Sequence, residues 1–598
     1  MSDSSDEEFF GFEADEIQQA AQRYEQLLID QGIGDDFELN TSGNESEDSE
    51  TEPIDDPIPI YNVNDQVVPD IDNVGNNWHH NFDIYERGLP HLFQPRGPDG
   101  RATGPATILA ADKGPIDFFK LFLNDILFEH IINETERYAN QQITENPEGN
   151  KSAWSKPSLT EIKAFIGLCF LMGIDVKPET KLYWSTDPFM ESPIFGKTMP
   201  RNRFMQIMRY LHFSNNHNAQ QPGHPSYDVL YKIRNILNMF NTSMKREFVP
   251  SRQVSIDECM IPFKGRVKFK QYMPAKPTKW GIKIWALADS NTGYICYTDV
   301  YTGKTDRPQG QLGEHVVKKC IEGADIVGQG YHVYVDNFFS SPKLFQTLFD
   351  NYQTAACGTI RKNRSGLPAD FMLKRPVGIN TRGDMQFFQR KAISGVLWKD
   401  KKIVSAISTI HDHSMSEVQR LVQVDGQFNK ADIPCPKIIA DYTKYMGGVD
   451  RADQYIQYYC FNHKTQKWYK RVFFKFLEIL KYNAYRLFLL SPNHQTVGNS
   501  PAMTFLQFSR QITSSLIDGY CGISNKGRQA AAPVPSRLTE RHMPNIVGNK
   551  SWCHVCWAKV AAGKQEKRRQ TIYGCNECGK HFCLPEWFTA YHTKAKYC

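Results

Sequence analysis

The chain lacks the features that mark a membrane protein or a secreted protein. It has no run of about 18 uncharged apolar residues, the minimum that a membrane-spanning helix requires. Its start, MSDSSDEEFF, has neither the basic segment nor the apolar segment of a secretory signal. We therefore expect the 14 cysteines to lie in a reducing compartment, where clustered cysteines bind metal more readily than they form disulfides.

Several common catalytic motifs are also missing. The sequence contains no G-x-S-x-G nucleophile elbow and no H-E-x-x-H zinc-protease motif. The run TGKT at 302–305 ends like a phosphate-binding loop, but Thr298 stands where the upstream glycine is needed. These absences remove the usual signs of serine hydrolases, zinc proteases and P-loop nucleotidases.

Basic residues are nearly absent from the first 60 positions, which carry 19 acidic side chains and one basic side chain, Arg23. The whole chain has a net charge of +4, so this segment contributes −18 and the remainder +22. The acidic, serine-rich composition predicts a largely disordered N-terminal region. A basic body behind an acidic tail favours nucleic acid as the partner over a merely solvated surface.

The 598 residues exceed what one hydrophobic core accommodates, and the periodicity of apolar residues changes along the chain. We predict a multidomain α/β protein. Its predicted segments are an acidic region (1–112), a helical region (113–250), the first part of an α/β core (251–365), a β-rich insertion (366–432), the last part of the core (433–456), a second helical region (457–520), a basic linker (521–550) and a cysteine-rich module (551–598).

Three aspartates are candidates for a metal site. Asp257 lies within the apolar run VSIDECM, Asp336 ends the apolar run YHVYVD, and Asp450 closes GGVD at the start of a helix. Carboxylates from separate elements suit hard divalent cations, which promote phosphodiester cleavage. Each residue also has an ordinary alternative, because strand-end aspartates cap turns and Asp450 suits a helix N-cap. Asp453, one turn later, either assists the site or favours the helix dipole.

Three basic tracts with interleaved aromatic residues accompany these acids. Basic side chains neutralise phosphates, and aromatic rings such as those of Tyr272 and Trp280 stack on unpaired bases. The tracts therefore favour a nucleic-acid site over a solvated surface. The side chains predicted to contact DNA are Lys264, Arg266, Lys276, Lys279, Arg361, Lys362, Arg364, Lys467, Lys470 and Arg471.

The last 48 residues carry two C-x-x-C pairs, a strong sign of structural zinc. The ligands are sufficient for two ions in a cross-braced arrangement if His581 or His554 supplies the eighth. A net charge of +9 over 521–598 predicts DNA binding by the module, with a histone-tail or ubiquitin-ligase role as the rival interpretation. The predicted zinc ligands are Cys553, Cys556, Cys575, Cys578, Cys583, His592 and Cys598.

Six ordered motifs between residues 113 and 598 resemble those of the piggyBac-type DNA transposases. They are SIDECMIPFKGR, KPTKWGIKIW, GYHVYVDNFFSS, CGTIRKNRSGLP, KYMGGVDRADQY and the C-terminal FTAYH. Their order and spacing make the likeness far more specific than any single motif. One departure is Trp587, which stands where relatives often carry a cysteine.

The resemblance implies an RNase H-like catalytic core interrupted by the β-rich insertion and flanked by helical DNA-binding and dimerisation regions. It implies that Asp257, Asp336 and Asp450 bind two Mg²⁺ ions and that Asp453 lies close to that site. It further implies a nuclear homodimer that excises an element through hairpin ends and inserts it at TTAA sites in double-stranded DNA. The alternative is a domesticated DNA-binding protein that no longer transposes.

Overall fold

The chain divides into two compact units, Met1–Gly522 and Ile523–Cys598. The predicted acidic tail up to residue 77 and residues 522–541 of the predicted basic linker lie outside the described residues. Among the described residues, no helix has the length and apolar character needed to cross a membrane. The computed structural model describes residues 78–95, 102–145, 153–273, 279–303, 311–424, 427–494, 502–521 and 542–594.

The first described segment packs on the body of the larger unit, ahead of residue 113, where the sequence placed the start of the globular part. The His79 N–H donates to Gln389 O, and the Gln94 N–H donates to Gln329 O. The helix α1 (Ile84–Arg87) lies between these contacts, and the short strand β1 (Gly104–Pro105) follows.

The helical region predicted for 113–250 forms as expected. The N-cap Ser158 accepts a hydrogen bond from the Glu161 N–H at 3.1 Å, as the capping signature predicted. The region ends in the short strand β2 (Phe248–Val249), which pairs with β1. Its helices are α2 (Pro115–Lys120), α3 (Asp125–Glu145), α4 (Leu159–Ile174), α5 (Pro193–Thr198), α6 (Arg201–Tyr210) and α7 (Tyr231–Glu247).

Nine of the described strands form one mixed sheet in the order β4-β5-β3-β7-β8-β11-β10-β9, with β6 paired to β5. The central strands β3, β7 and β8 run parallel, and the remaining pairs are antiparallel. The strands are β3 (Gln253–Pro262), β4 (Gln271–Tyr272), β5 (Trp280–Asp289), β6 (Ile295–Val300), β7 (His332–Val335), β8 (Ala355–Thr359), β9 (Met385–Arg390), β10 (Ile393–Lys399) and β11 (Ile403–Ser408).

Two helices provide the parallel crossovers that a sequence alternating strand and helix predicts. Helix α8 (Leu312–Gly323) packs against β5 and β6, and α9 (Pro342–Tyr352) packs against β8 and β10. The residues predicted as a β-rich insertion do form strands. The strands β9, β10 and β11 extend the central sheet through β8, whereas β12 (Met415–Val424) and β13 (Gln427–Pro436) form a separate hairpin.

The chain then returns to helix in four segments. Helices α10 (Lys437–Tyr445) and α11 (Gly448–Tyr458) lead from the hairpin across the sheet. Helix α12 (Trp468–Leu490) is buried over most of its circumference, and α13 (Phe505–Ile517) packs against α2 and α4. The helical layer therefore combines helices that precede the sheet strands in the sequence with helices that follow them.

A buried ion pair fixes the connection between α11 and α12. Lys481 Nζ lies 2.5 Å from Glu478 Oε2, and both side chains are almost fully buried. The Lys481 ammonium also donates to Tyr459 O at 3.3 Å, and Glu478 accepts from the Phe461 N–H at 3.2 Å. The ion pair thus links α12 to the backbone of the loop that connects α11 and α12.

The smaller unit contains a three-stranded antiparallel sheet and two helices. Its first strand begins at residue 545, inside the segment predicted as linker, so the module starts earlier than its first C-x-x-C pair. The elements are β14 (Asn545–Trp552), α14 (His554–Ala561), β15 (Gln570–Cys575), β16 (Lys580–His581) and α15 (Glu586–Thr593).

Replacing Lys481→Met should destabilise the larger unit by about 3–5 kcal/mol, because Glu478 would remain buried without its cation. Urea denaturation of the full chain measures this loss. The control is Lys181→Met, whose partner Glu179 lies 2.7 Å away at the surface. Exposed pairs contribute little, so the control should change the unfolding midpoint much less. Equal small effects of the two substitutions would contradict the role given to the buried pair.

Candidate functional site

The parallel pairing of β3 and β7 brings two of the predicted aspartates together. The register pairs Gln253 with His332 and ends with Ile256 opposite Val335. Asp257 and Asp336 are the next residues on these neighbouring strands, which lie about 4.8 Å apart in a sheet. Asp257 is buried, and its Oδ1 accepts from the Glu258 N–H at 2.8 Å. Asp336 stands where β7 ends and is partly exposed.

The loop after β7 holds Asp336 in place. Its Oδ1 accepts from the Phe338 N–H, and its carbonyl accepts from the Ser340 hydroxyl at 3.0 Å. Burial raises the pKa of the Asp336 carboxyl, and the charge of Glu258 raises it too. The Phe338 N–H and the cationic side chains of Arg361 and Lys283 act in the opposite direction. The carboxylate is therefore oriented by backbone and faced by two bases.

Helix α11 lies against the face of β3 on which Asp257 stands. Alternation along the strand puts Ser255, Asp257 and Cys259 on one face. A Cβ on Gly448 would lie 2.5 Å from Ser255 Oγ, so the absent side chain allows the start of α11 to approach β3 closely. Asp450 lies in the first turn of this helix. The third predicted aspartate thus comes from the element that crosses the strand carrying the first.

Asp450 and Asp453 share an electrostatic environment with Asp257. Burial raises the pKa of the Cys259 thiol well above its usual range, and the charges of all three aspartates raise it further. Asp453 is also paired, since its Oδ1 accepts from the Lys475 ammonium of α12 at 2.8 Å. The structure therefore gathers the four predicted acids around the middle of β3, where Asp257 lies.

These acids form an open cluster of hard oxygen donors. Among the described residues, Asp257, Asp336 and Asp450 are not a group whose ligand atoms all lie within 4.8 Å of one another. Two ions about 3.5–4 Å apart require carboxylates spread over a wider span than a single ion does. Carboxylate oxygens on three rigid elements match the preference of Mg²⁺ for oxygen ligands. The donor chemistry of these residues therefore suits divalent cations.

The residues predicted to contact DNA fall into three groups. Lys264, Arg266, Lys279 and Arg361 are exposed, and Lys276 lies outside the described residues. The second group donates hydrogen bonds to other residues of the larger unit. Arg364 donates to the carbonyl of Phe338, Arg361 donates to Asn337 Oδ1 at 3.1 Å, and Lys362 donates to Leu373 O at 3.2 Å. Arg361 therefore both faces solvent and helps to hold the loop that follows Asp336.

The third group lies at the start of α12 and differs from the prediction. Lys470 is buried, and its ammonium donates to the carbonyls of Met208 and Arg209. Arg471 is partly buried and donates to Pro262 O at 3.0 Å. Lys467 is partly exposed and donates to the Tyr138 hydroxyl at 3.1 Å. The helix uses these cations mainly to join segments of the protein, so we remove Lys470 from the DNA-contacting set.

Among its described residues, the smaller unit brings together four side chains that could hold a metal ion: His542, Cys575, Cys578 and His592. The Nδ1 atom of His542 lies 3.2 Å from Cys575 Sγ and 3.6 Å from Cys578 Sγ, and Cys578 Sγ lies 3.3 Å from His592 Nε2. Tetrahedral zinc ligands lie about 3.3–3.8 Å apart, so the spacing fits. The other ring nitrogen of His592 lies 2.8 Å from Phe588 O, which orients the ring.

A second cluster consists of Cys553, Cys556 and Cys583. The sulfurs of Cys556 and Cys583 lie 3.9 Å apart, and the Cys583 N–H donates to Cys553 Sγ at 3.3 Å. The predicted partner Cys598 lies outside the described residues. Ligands of the two clusters interleave along the chain, because Cys553 and Cys556 lie between His542 and Cys575, and Cys583 lies between Cys578 and His592.

The histidines proposed as the eighth ligand have other partners, and this part of the prediction is wrong. The His581 Nε2 atom lies 2.7 Å from Val547 O, and His554 Nε2 lies 3.4 Å from Lys580 Nζ. The fourth member of the four-residue set is His542, which sequence reasoning missed. Trp587 packs beside this core with the Lys559 ammonium 3.4 Å from its ring, so it is a packing residue.

Comparison with known proteins agrees with this architecture. The family model described as Transposase IS4 matches residues 114–485. Human PiggyBac transposable element-derived protein 3 is 27% identical over 494 residues, which cover 80% of this chain and 76% of that protein. Human PiggyBac transposable element-derived protein 5 is 25% identical over 468 residues, which cover 76% of this chain and 83% of that protein.

A solved structure shares the fold. It is the cryo-EM structure of a piggyBac transposase synaptic complex with hairpin DNA, matched with a TM-score of 0.61 at 23% identity. The match covers 81% of this chain and 98% of that chain. The mixed α/β architecture is therefore that of a known transposase.

Replacing His542→Ala should remove one zinc ion per chain, because it deletes one of the ligands in the four-residue set. Metal content of the purified full-length protein, measured by mass spectrometry, tests this. His581→Ala is the matched control, since that ring contacts only backbone among the described residues. Loss of zinc from the control with none from His542→Ala would contradict the assignment.

Proposed function

This chain belongs to the piggyBac-type transposases of the Transposase IS4 family, and on that basis we propose that it is a cut-and-paste DNA transposase. The observation that carries the proposal is the placement of Asp257 and Asp336 at neighbouring positions of two parallel strands, with Asp450 on the helix that packs against the first of them. The proposed active site is DDD-type and depends on Mg²⁺. The larger unit supplies all of its residues.

The three carboxylates have distinct tasks in this proposal. Asp257, buried within β3, gives a rigid ligand, and Asp336 is aimed by the loop that follows β7. Asp450 is exposed, on the first turn of α11. When bound, two Mg²⁺ ions supply activation of the attacking water or 3′-hydroxyl and stabilise the leaving oxygen. The chain's own residues hold those ions between the strand ends and the helix.

The surrounding surface suits a DNA backbone. Lys264, Arg266, Lys279 and Arg361 are exposed bases in the two tracts that border the acids in sequence. Phosphate contacts of this type position a duplex without reading its sequence. We propose that the chain cuts double-stranded terminal repeats through hairpin ends and joins them at TTAA. The resemblance also supports a homodimer and a nuclear location.

The zinc module presents a second surface suited to nucleic acid. The side chains of Lys567, Arg568 and Arg569 are exposed, as are the rings of Trp552 and Trp557. Exposed basic side chains beside exposed aromatic rings are more typical of a surface that binds the phosphates and bases of a nucleic acid than of an ordinary solvated surface. We propose that this module binds the transposon end.

Asp336→Asn should abolish cleavage of TTAA-flanked ends while leaving DNA binding intact, because it removes a charged ligand without changing the shape of the side chain. A two-plasmid excision assay and a gel-shift assay with the same ends measure the two properties. The matched control is Asp350→Asn, an exposed aspartate of α9.

Full excision by Asp336→Asn would overturn the proposed active site. Absence of excision by the unaltered chain, with specific end binding retained, would instead support the domesticated DNA-binding alternative. The control variant should excise at the unaltered rate.

Reversing the charges of Lys567, Arg568 and Arg569 to Glu should weaken binding of the full chain to transposon ends and lower its salt dependence, since three phosphate contacts are lost. Fluorescence anisotropy at several salt concentrations measures both. Unchanged DNA affinity, together with binding to a histone-tail peptide that the variant loses, would favour the rival reader role.

A further inference from the structure

The proposed active site contains a buried cation that metal-ligand motifs do not predict. Lys475 lies on α12, its side chain is 8% exposed, and its Nζ lies 2.8 Å from Asp453 Oδ1. Burial by itself lowers the pKa of this ammonium, but the charge and hydrogen bond of Asp453, together with Cys259 and Cys460, raise the pKa overall. Lys475 is therefore a fixed positive charge inside the larger unit.

This cation stands beside the acids of the site. Asp453 is one helical turn from Asp450, and both belong to α11. The thiol of Cys259 experiences the charges of Asp453, Lys475, Asp257 and Asp450 together. Because Asp257 and Cys259 share a face of β3, the Lys475–Asp453 pair borders the same face of that strand as Asp257.

Four carboxylates in one place repel each other. Together with a bound phosphate, they carry more negative charge than two divalent ions neutralise. A lysine that neutralises one carboxylate reduces this excess. The same lysine donates a hydrogen bond to one oxygen of Asp453, which keeps that carboxylate directed toward α12. Unlike Asp336, whose loop is fixed by backbone N–H groups, Asp453 is held by a side-chain charge.

We propose that Lys475 is a positioning residue that sets the charge of the metal site by pairing with Asp453, which is thereby kept out of the first coordination shell of the ions. The inference rests on the proposed function, because it assumes divalent-cation binding by Asp257, Asp336 and Asp450. It assigns Asp453 the role of a charge partner, in place of a fourth ligand.

The proposal predicts that the two single substitutions change the affinity for Ca²⁺ in opposite directions. Lys475→Met leaves the Asp453 charge unbalanced, so the site should bind Ca²⁺ more tightly, on the order of three- to tenfold by Coulomb attraction. Asp453→Asn leaves the Lys475 charge unbalanced, so the site should bind Ca²⁺ more weakly by a similar factor. The double variant, which lacks both charges, should return close to the unaltered affinity.

Isothermal titration of the full-length protein with Ca²⁺, in the absence of DNA, measures these affinities without requiring catalysis. A structural role for the pair predicts a different pattern, since both single variants would then weaken binding. A direct ligand role for Asp453 also differs, because the double variant would then remain as weak as Asp453→Asn. Either pattern overturns the proposal.

If Lys475→Met does not fold, the comparison of Asp453→Asn with the double variant decides the question. Recovery of affinity in the double variant supports the proposal, and no recovery overturns it. The control pair is Glu161 with Arg203, an ion pair of 2.7 Å between α4 and α6. Glu161→Gln and Arg203→Met should leave the Ca²⁺ affinity of the folded protein unchanged.

Ca²⁺ binding by the unaltered chain and by Asp336→Asn distinguishes a failure of the proposed metal site from a failure of the role of Lys475. If both bind Ca²⁺ equally, the proposed metal site fails. If Asp336→Asn alone loses binding while the Lys475 and Asp453 variants match the unaltered chain, only the role of Lys475 fails.

Discussion

The arrangement of the site depends on the contact between the start of α11 and β3. Gly448 lies so close to the strand that any side chain there would overlap Ser255 Oγ, and its Cβ would also lie 3.2 Å from Asp289 O. This approach lets a helix, whose residues come nearly 200 positions after β3, add Asp450 to the strand that carries Asp257. Without it Asp450 would lie away from Asp257, and it would have only the ordinary role of an aspartate at a helix start.

The repulsion between the gathered carboxylates is a second constraint. The structure counters it in two ways. At Asp336 the backbone N–H of Phe338 and the cations of Arg361 and Lys283 favour the ionised form. At Asp453 a buried ammonium, that of Lys475, donates a hydrogen bond to the carboxylate. The basic residues near the site are therefore of two kinds. Some are exposed and available to DNA, and others neutralise or orient the acids from within.

Much of this could be predicted from sequence, because apolar periodicity and flanking turns identify strands such as β3 and β7. Other features could not. The tract at 463–476 looks basic and exposed, yet α12 is buried. Lys470 and Lys475 of the tract, and Lys481 beyond it, point inward to carbonyls or carboxylates. A periodic pattern cannot distinguish such lysines from surface ones, since their partners are distant in sequence. His542 was missed for a similar reason, because it precedes the first C-x-x-C pair by 11 residues within a segment that has linker composition.

Exchange of a ligand atom tests the central claim most directly. Asp336→Cys replaces a hard oxygen with a sulfur, which Mg²⁺ binds poorly and softer divalent ions such as Mn²⁺ bind better. Cleavage of TTAA-flanked ends by this variant should be lost in Mg²⁺ and recovered in Mn²⁺, with DNA binding the same in both. Cleavage at the unaltered rate in Mg²⁺ would show that Asp336 does not bind the catalytic metal and would contradict the account.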